Sequence, residues 1–258
     1  MNEFVQSCAA GDVYAVNNML EYMNPNDAST IVAGIDTMLA HNCKGLTDVF
    51  GRWGKCHPRF GLSTLSVAFL NGNMSVAAFV LDHMLTPQLV NSSFGFLFHS
   101  GKNLPQKQRA EIAQLIARKS QRSSHGDFLS TIVNKGDEHL LDVVCSLSDT
   151  TVENNEDPHT VDLWPQLLMC SNAINFSGWS DDTESIADAK RYTRILHTLL
   201  NYVDHNQLQQ RLDLESVAEP EILENTIVLS EWIQQRRWEV LQQAAHSTHH
   251  REKTTRRI

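Results

Sequence analysis

The chain has 258 residues, of which 41% are hydrophobic, and a formal net charge of -9 at pH 7. This length can bury a substantial core, whereas the acidic balance disfavours binding to nucleic-acid backbones. No uncharged apolar run reaches the roughly 18 residues of a membrane-spanning helix, and the N-terminus lacks the basic and apolar regions of a signal peptide. Because the five cysteines are odd in number and widely scattered, we expect a reducing, cytoplasmic environment without disulfides.

Three segments share one pattern, in which a helical stretch meets a Gly followed by Asp or Asn and then a second apolar helix. They are FVQSCAAGDVYAVNNML (4–20), LSVAFLNGNMSVAAFVL (65–81) and LSTIVNKGDEHLLDVVC (129–145). Glycine suits such a turn because it adopts positive φ without a Cβ clash. Apolar residues spaced three and four apart mark a helix face on each side of the turn. The pattern predicts stacked helix-turn-helix repeats, which are typical of a scaffold.

Two stretches resemble ankyrin repeats, namely SCAAGDVYAVNNMLEYMNPND (7–27) and GLSTLSVAFLNGNMSVAAFVLDH (61–83). Each has a first helix, a short Gly turn and a second helix, as in that family. Ser63, Thr64 and Leu65 stand where the family has its Thr-Pro-Leu helix start, with Thr64 in place of the Pro. The third segment keeps only the skeleton, because bulky residues replace the usual small alanines. The resemblance implies an all-α, ankyrin-like helix-turn-helix solenoid with irregular repeats.

The turn glycines of the three segments lie 61 and 64 residues apart, nearly twice the roughly 33 residues of one ankyrin repeat. Degenerate copies are therefore expected between them. Residues 28–53 contain two helical runs around Asn42 to Gly45, without a Gly-Asp turn. Residues 88–120 contain Gly101, a Pro105 suited to a helix start and an amphipathic helix, which we interpret as a repeat with a shortened first helix.

After residue 148 the pattern changes. The polar stretch Asp149 to Asp162 is interpreted as an exposed acidic loop. A helical stretch (163–174) and an amphipathic run (186–203) flank the polar insert NFSGWSDDTES, which resembles an inter-helix turn expanded into a loop. Residues 224–246 are interpreted as a C-terminal capping helix with a polar outer face.

These features predict three regions. Residues 1–148 form ankyrin-like repeats. Residues 149–246 form divergent helical repeats with the acidic insert and the C-terminal capping helix. Residues 247–258 form a flexible basic tail.

Residues with catalytic or metal-binding chemistry are scarce. Cys43, Cys56 and His57 are the closest approach to a metal cluster, but only Cys56 and His57 are adjacent, whereas structural zinc uses four ligands in paired spacings. Cys8 and Cys145 occupy inward repeat positions, where cysteine acts as a small hydrophobe. No phosphate-binding Gly-rich loop or nucleophile elbow is present. We therefore predict no catalytic residue, cofactor or metal, and no enzyme activity.

The function that the resemblance implies is a protein–protein interaction module, a scaffold or adaptor that binds another protein through its concave face and loop tips. Trp and Arg residues in loops are candidate contacts, because both types are enriched at interface hot spots. The alternative that the tryptophans simply pack their own loops stays open. The candidate binding residues are Arg52, Trp53, Phe176, Trp179, Asp181 and Asp182.

Two other functions are alternatives at this point. An enzyme, or an adaptor for one, would use residues 149–185 to form a site against the solenoid, in a concave pocket with convergent polar groups. Degenerate ankyrin-like chains also occur among proteins that intracellular bacteria inject into host cells, so a secreted effector acting in the host cytoplasm is the third reading. The sequence assigns neither a partner nor an oligomeric state.

Overall fold

The computed structural model describes residues 2–120, 125–152, 160–177 and 183–218, with residues 229–231, 234–235 and 238. Helix accounts for 80% of it, and the described residues contain one two-stranded sheet. The prediction of a mainly α-helical chain is therefore confirmed. The chain divides into two compact units, Met1–Phe128 and Leu129–Ile258.

The first unit is built from helices joined by short turns. A π-helical segment, Val80–Met84, directly follows the sixth helix, and single 3₁₀ turns precede the third and fourth helices. The helices are α1 (Glu3–Ala10), α2 (Val13–Glu21), α3 (Ala28–Ala40), α4 (Thr47–Cys56), α5 (Pro58–Leu70), α6 (Met74–Phe79), α7 (Pro87–Ser92), α8 (Gly95–Phe98) and α9 (Gln106–Lys119).

The three glycines predicted to form inter-helix turns all have positive φ. The angle is 69° at Gly11, 68° at Gly72 and 73° at Gly136. At Gly11, the next backbone N–H donates to the carbonyl oxygen of Ser7 at 3.0 Å, which closes the left-handed turn that commonly ends a helix. The local prediction from these glycines is therefore confirmed.

The residue after each glycine caps the following helix. The Asp12 carboxylate accepts a hydrogen bond from the backbone N–H of Ala15 at 3.0 Å. Asn73 accepts the equivalent bond from the backbone N–H of Val76, and Asp137 accepts it from that of Leu140, each at 3.1 Å. This bond satisfies a helix N–H that has no partner within the helix, so Gly followed by Asp or Asn both ends one helix and begins the next.

A fourth turn of the same kind joins α3 to α4. Asn42 has a φ of 55°, and the N–H of Cys43 donates to the carbonyl oxygen of Met38 at 3.0 Å. Asparagine is among the few other residues that adopt this left-handed conformation readily. The two helical runs predicted over residues 28–53 are thus present, and Asn42 takes the place of the glycine.

Helices in the first unit contact their nearest counterparts along the chain. The helices that precede the turns pack against one another in chain order, α1 against α3 and α3 against α5. The helical segments that follow the turns do the same, α2 against α4 and α4 against the π-helical segment. Phe50 joins these layers, because its ring contacts Phe4 and Phe79 edge-on with centroid distances of 6.2 Å on both sides. Such T-shaped pairs are the preferred aromatic geometry.

Side-chain hydrogen bonds in the first unit also join neighbouring helix pairs. In four bonds described within residues 2–120, the two residues lie 34, 37, 37 or 39 positions apart in the chain. Each therefore spans about one helix-turn-helix unit. The donor and acceptor residues are Cys43 with Ala9, Asn73 with Asp36, Gln108 with Phe69, and Lys119 with Asp82.

Two buried glycines bring α4 very close to the π-helical segment. A Cβ atom on Gly54 would lie only 2.9 Å from the Met84 Cα, and one on Gly51 would lie 3.3 Å from the His83 carbonyl oxygen. Only glycine accommodates this approach without displacing backbone. The close packing at this point accompanies the wider π-helical turn.

The region predicted as a repeat with a shortened first helix (88–120) contains two short helices, α7 and α8, before α9. Helix α8 has 4 residues, and α9 begins directly after Pro105. The apolar face predicted for α9 is buried, at Ala110, Ala113, Ile116 and Ala117.

Among its described residues, the second unit contains most of α10, four further helices and the small sheet. Helix α10 (His125–Lys135) crosses from the first unit into the second. The other elements are α11 (Glu138–Leu147), β1 (Asp149–Thr151), β2 (Thr160–Asp162), α12 (Trp164–Ser177), α13 (Thr183–Leu200) and α14 (His205–Ala218).

The interpretation of Asp149 to Asp162 as an exposed loop is wrong at both ends of the segment. Strands β1 and β2 pair in parallel, with Asp149 opposite Thr160. Val152 and Val161 are buried, because single apolar residues in this polar stretch point into the core. Residues 153–159 lie outside the described part of the chain.

Helix α13 confirms only part of its predicted apolar face. Ile195, Leu196 and Leu199 are fully buried, whereas Ile186 in the first turn is 45% exposed. Helix α14 was not predicted. The predicted capping helix (224–246) lies mostly outside the described residues, and the basic tail (247–258) lies entirely outside them.

Candidate functional site

Arg52 and Trp53 lie in helix α4, so their placement in a loop is wrong. The segment GRWGKC is helical although it contains two glycines, because packing of Gly51 and Gly54 against the π-helical segment outweighs their low helix propensity. Arg52 is exposed, and its Nε donates to the backbone carbonyl of Asp48 at 3.3 Å. Trp53 is half-buried.

Trp53 belongs to a cluster of three rings where α4 meets α5. Its ring centroid lies 4.7 Å from that of Phe60 and 5.8 Å from that of His57, and the rings of His57 and Phe60 are 5.6 Å apart. His57 alone separates the two helices, and Pro58 occupies the first helical position of α5, where its fixed φ is favourable. We call residues 52–60 the α4–α5 junction.

The α4–α5 junction is basic in an acidic chain. Arg52, Lys55 and Arg59 are exposed, and none of them forms an ion pair with another described residue. The chain has no Asp or Glu between Asp48 and Asp82. Local charge at the junction is thus positive, and a Debye length of about 8 Å at physiological salt screens it from more distant acidic groups.

Several residues of the junction were not among the predicted binding residues. Lys55 and Arg59 add charge to Arg52, and His57 and Phe60 complete the aromatic cluster. The signal that could have identified them is the run RWGKCHPRF itself, which alternates basic and aromatic residues without an acidic one. Exposed cations beside half-buried rings form a surface suited to binding rather than to bond-breaking chemistry.

The other four predicted binding residues belong to the second unit. Phe176 lies near the end of helix α12, which extends into the first residues of the polar insert. Trp179, Asp181 and Asp182 lie outside the described residues.

All five cysteines are free thiols, and three of them are buried. Burial is the main cause that raises the pKa of Cys8, Cys145 and Cys170 to about 12 in each case. We call these three the buried cysteines. A thiol with such a pKa carries almost no thiolate at neutral pH, and the thiolate is the nucleophile. The predicted inward positions of Cys8 and Cys145 are confirmed.

Cys43, Cys56 and His57, the candidate metal ligands, do not lie together in one turn. Cys43 lies in the turn between α3 and α4, where its thiol donates to the carbonyl oxygen of Ala9 at 3.5 Å. Cys56 and His57 lie at the other end of α4. Across the described residues, no three His, Cys, Asp or Glu side chains gather closely enough to hold a metal ion.

A small pocket opens beside the turn between α3 and α4. Its volume is about 60 Å³, far below the roughly 300 Å³ of a typical small-molecule site. Its lining residues are Met38, Leu39, Asn42, Cys43, Lys44 and Thr47.

Within the described part of the chain, no helix has both the length and the apolar character needed to cross a bilayer. A scan against protein-family models found no match to this chain, and neither did searches of the curated proteins and of the solved structures. The residues themselves are therefore the basis for any functional conclusion.

Proposed function

We propose that this chain is an ankyrin-like helical repeat protein that binds another protein as a scaffold or adaptor. The observation that carries the proposal is a recurring turn between helices. One residue with positive φ ends a helix, and the residue after it begins the next helical segment. The turn occurs at Gly11, Asn42, Gly72 and Gly136. The first three lie 31 and 30 residues apart, close to the roughly 33 residues of an ankyrin repeat.

The reach of the contacts supports the same proposal. In repeat proteins each repeat contacts mainly its neighbours, and the four long-range side-chain hydrogen bonds described in the first unit join residues 34 to 39 positions apart. Stacking of this kind leaves an extended surface, which such proteins use to bind other proteins. The α4–α5 junction is the contact surface that we assign, with Arg52 and Trp53 at its centre.

The proposal includes a cytoplasmic location. All five cysteines are unpaired, which suits a reducing compartment. If the chain is a secreted effector, that compartment is the host cytoplasm. Three of the five cysteines are buried, which disfavours them as nucleophiles, so binding is the activity to test first.

The test is site-specific photo-crosslinking of the full chain in the cell that contains it. A photoreactive residue replaces Lys55 in the α4–α5 junction or, as the matched control, the exposed Lys102 on the same unit. Tyr14 and Tyr22, which are 78% and 88% exposed, provide two further positions on α2 and directly after it.

The expected result is a discrete crosslinked protein from position 55 that is absent from position 102. The captured protein, once purified, should bind the unmodified chain saturably in isothermal titration calorimetry. Failure to obtain a discrete product from any of these positions, under conditions where the variants are folded and expressed, would reject the binding function.

A further inference from the structure

We propose that the α4–α5 junction binds a short acidic segment of a partner protein, one that carries an apolar side chain among its carboxylates. This inference rests on the proposed function and names the chemistry of the partner. It follows from two properties of the junction, its unpaired positive charge and its half-buried aromatic cluster, together with the acidic character of the rest of the chain.

The position of Arg59 is not explained by helix stability. Lys55 lies in the last turn of α4, where a positive charge favours the helix dipole. Arg59 lies in the first turn of α5, where the same dipole disfavours it. Among the described residues, Arg59 forms no ion pair. A carboxylate from another protein supplies the acidic partner.

The aromatic cluster provides the apolar part of the surface. Trp53 and Phe60 are half-buried, with ring centroids 4.7 Å apart, so each is held in place by the other and keeps part of its ring open to solvent. Rigid aromatic side chains lose little entropy on binding and frequently dominate interface energies. An apolar side chain of the partner packs on these rings while its acidic neighbours meet Arg52, Lys55 and Arg59.

A polyanion or a bilayer fits the junction less well than a short peptide. A nucleic acid or an anionic membrane is much larger than the surface formed by the nine residues of the junction. It would therefore meet the acidic groups that give the chain its net charge of -9. A peptide of similar length to the junction avoids them. The short positive surface therefore selects a compact anionic partner.

The experiment measures binding of fluorescein-labelled peptides to the full chain by fluorescence anisotropy. The test peptide has about 12 residues, with acidic residues on both sides of a central Leu pair. One control peptide replaces the Leu pair by Ser, and another replaces the acidic residues by Lys. Each titration is done at low salt and at about 0.3 M salt, where exposed charge pairs are screened more strongly.

The main variant reverses the charges of the junction, R52E/K55E/R59E. Its matched control, K102E/K107E/R118E, changes the net charge by the same amount at three exposed residues elsewhere on the first unit. We expect the acidic Leu peptide to bind at least about tenfold more weakly to the first variant and within about threefold of wild type to the second. Because all six side chains are exposed, both variants should keep their circular dichroism spectrum and melting temperature.

Trp53→Ala tests the aromatic part of the surface separately. Loss of a hot-spot aromatic typically weakens binding by about thirtyfold, and here it should also abolish the preference for the Leu peptide over the Ser peptide. Should Trp53→Ala fail to fold, the comparison of the Leu and Ser peptides on the wild-type chain still tests this part of the proposal.

Three results would overturn the inference. The first is equal loss of binding in the two charge-reversed variants, which would assign the effect to net charge. The second is no preference for the acidic Leu peptide over the two control peptides. The third is that a 12-nucleotide oligouridylate or phosphatidylserine vesicles bind more tightly than the acidic Leu peptide, and that the junction variant abolishes this binding. A discrete protein crosslinked at Lys55 together with no peptide binding would reject the acidic segment and leave the proposed function standing.

Discussion

Replacing Gly72 by Ala tests whether the inter-helix turn requires a left-handed residue. Gly72 has a φ of 68°, and the atom nearest to an added Cβ is Gln108 Nε2 at 3.7 Å, which is an ordinary contact. The change therefore introduces no clash, and only the energetic cost of holding a positive φ at this position changes. It isolates the conformational cost of a residue with a side chain in this turn.

The expected loss of stability is about 1 kcal/mol. A left-handed conformation costs a residue with a Cβ roughly 1–2 kcal/mol, and the lower entropy of the unfolded Ala chain offsets about 0.4–1 kcal/mol of that cost. The control is Gly126→Ala in α10. Its φ is not positive and an added Cβ meets no atom within 4 Å, so this change should be neutral or stabilising by up to about 1 kcal/mol.

The assay is denaturation by urea followed by circular dichroism at 222 nm, with thermal melts as a second measure. A loss of about 1 kcal/mol lowers the melting temperature of a unit the size of Met1–Phe128 by about 4 °C. Asn42→Ala, at the equivalent turn between α3 and α4, should lose a similar amount, since Asn tolerates this conformation better than Ala. Stabilisation by Gly72→Ala, as expected for a glycine in an ordinary helix, would refute the assignment of the turn.

Four further outcomes are expected. Gly54→Ala should destabilise the chain by about 2 kcal/mol or more in the same denaturation assay, because its Cβ would lie 2.9 Å from the Met84 Cα. With a maleimide reagent at pH 8, the exposed Cys56 should react in the native protein and the buried cysteines only after unfolding; rapid native labelling of any buried cysteine would contradict their burial. Stability should fall as pH rises from 9 towards 12. The buried cysteines have a pKa of 9.0 when unfolded and of about 12 when folded, so above pH 9 the unfolded chain gives up protons that the folded chain keeps. Melting curves across this range should show a shallower decline when Cys170 is replaced by Ala. Tyr202→Phe should cost about 1 kcal/mol by removing the hydroxyl that donates to Asp142 Oδ1 at 2.6 Å, whereas Tyr22→Phe, at an 88% exposed position, should leave the melting temperature unchanged.

The turns could be predicted from sequence because their chemistry is local. Gly followed by Asp or Asn encodes both the left-handed residue and the cap of the next helix, and the structure has both at Gly11, Gly72 and Gly136. The turn at Asn42 was not recognised, since Asn adopts many other conformations and Cys43 provides no capping carboxylate. The helices on both sides of it were still evident from their apolar spacing.

The features that were missed depend on contacts between distant residues. The two glycines of GRWGKC disfavour a helix, and the segment is helical because both glycines pack closely on the π-helical segment. The strands β1 and β2 have three residues each, too few for a period of two to emerge from a polar stretch. The aromatic cluster was half recognised, because Trp53 was singled out by its residue type while its partners His57 and Phe60 depend on how α4 meets α5.

The short reach of the contacts in the first unit also affects how the chain folds. Bringing residues together costs more entropy as the intervening loop lengthens, and proteins rich in local contacts fold faster than those that pair distant segments. The four long-range side-chain hydrogen bonds described in this unit close loops of only 34 to 39 residues. Folding can therefore nucleate at any adjacent pair of turns. The first helix pairs can dock while the ribosome is still adding the second unit, at about 5–20 residues per second.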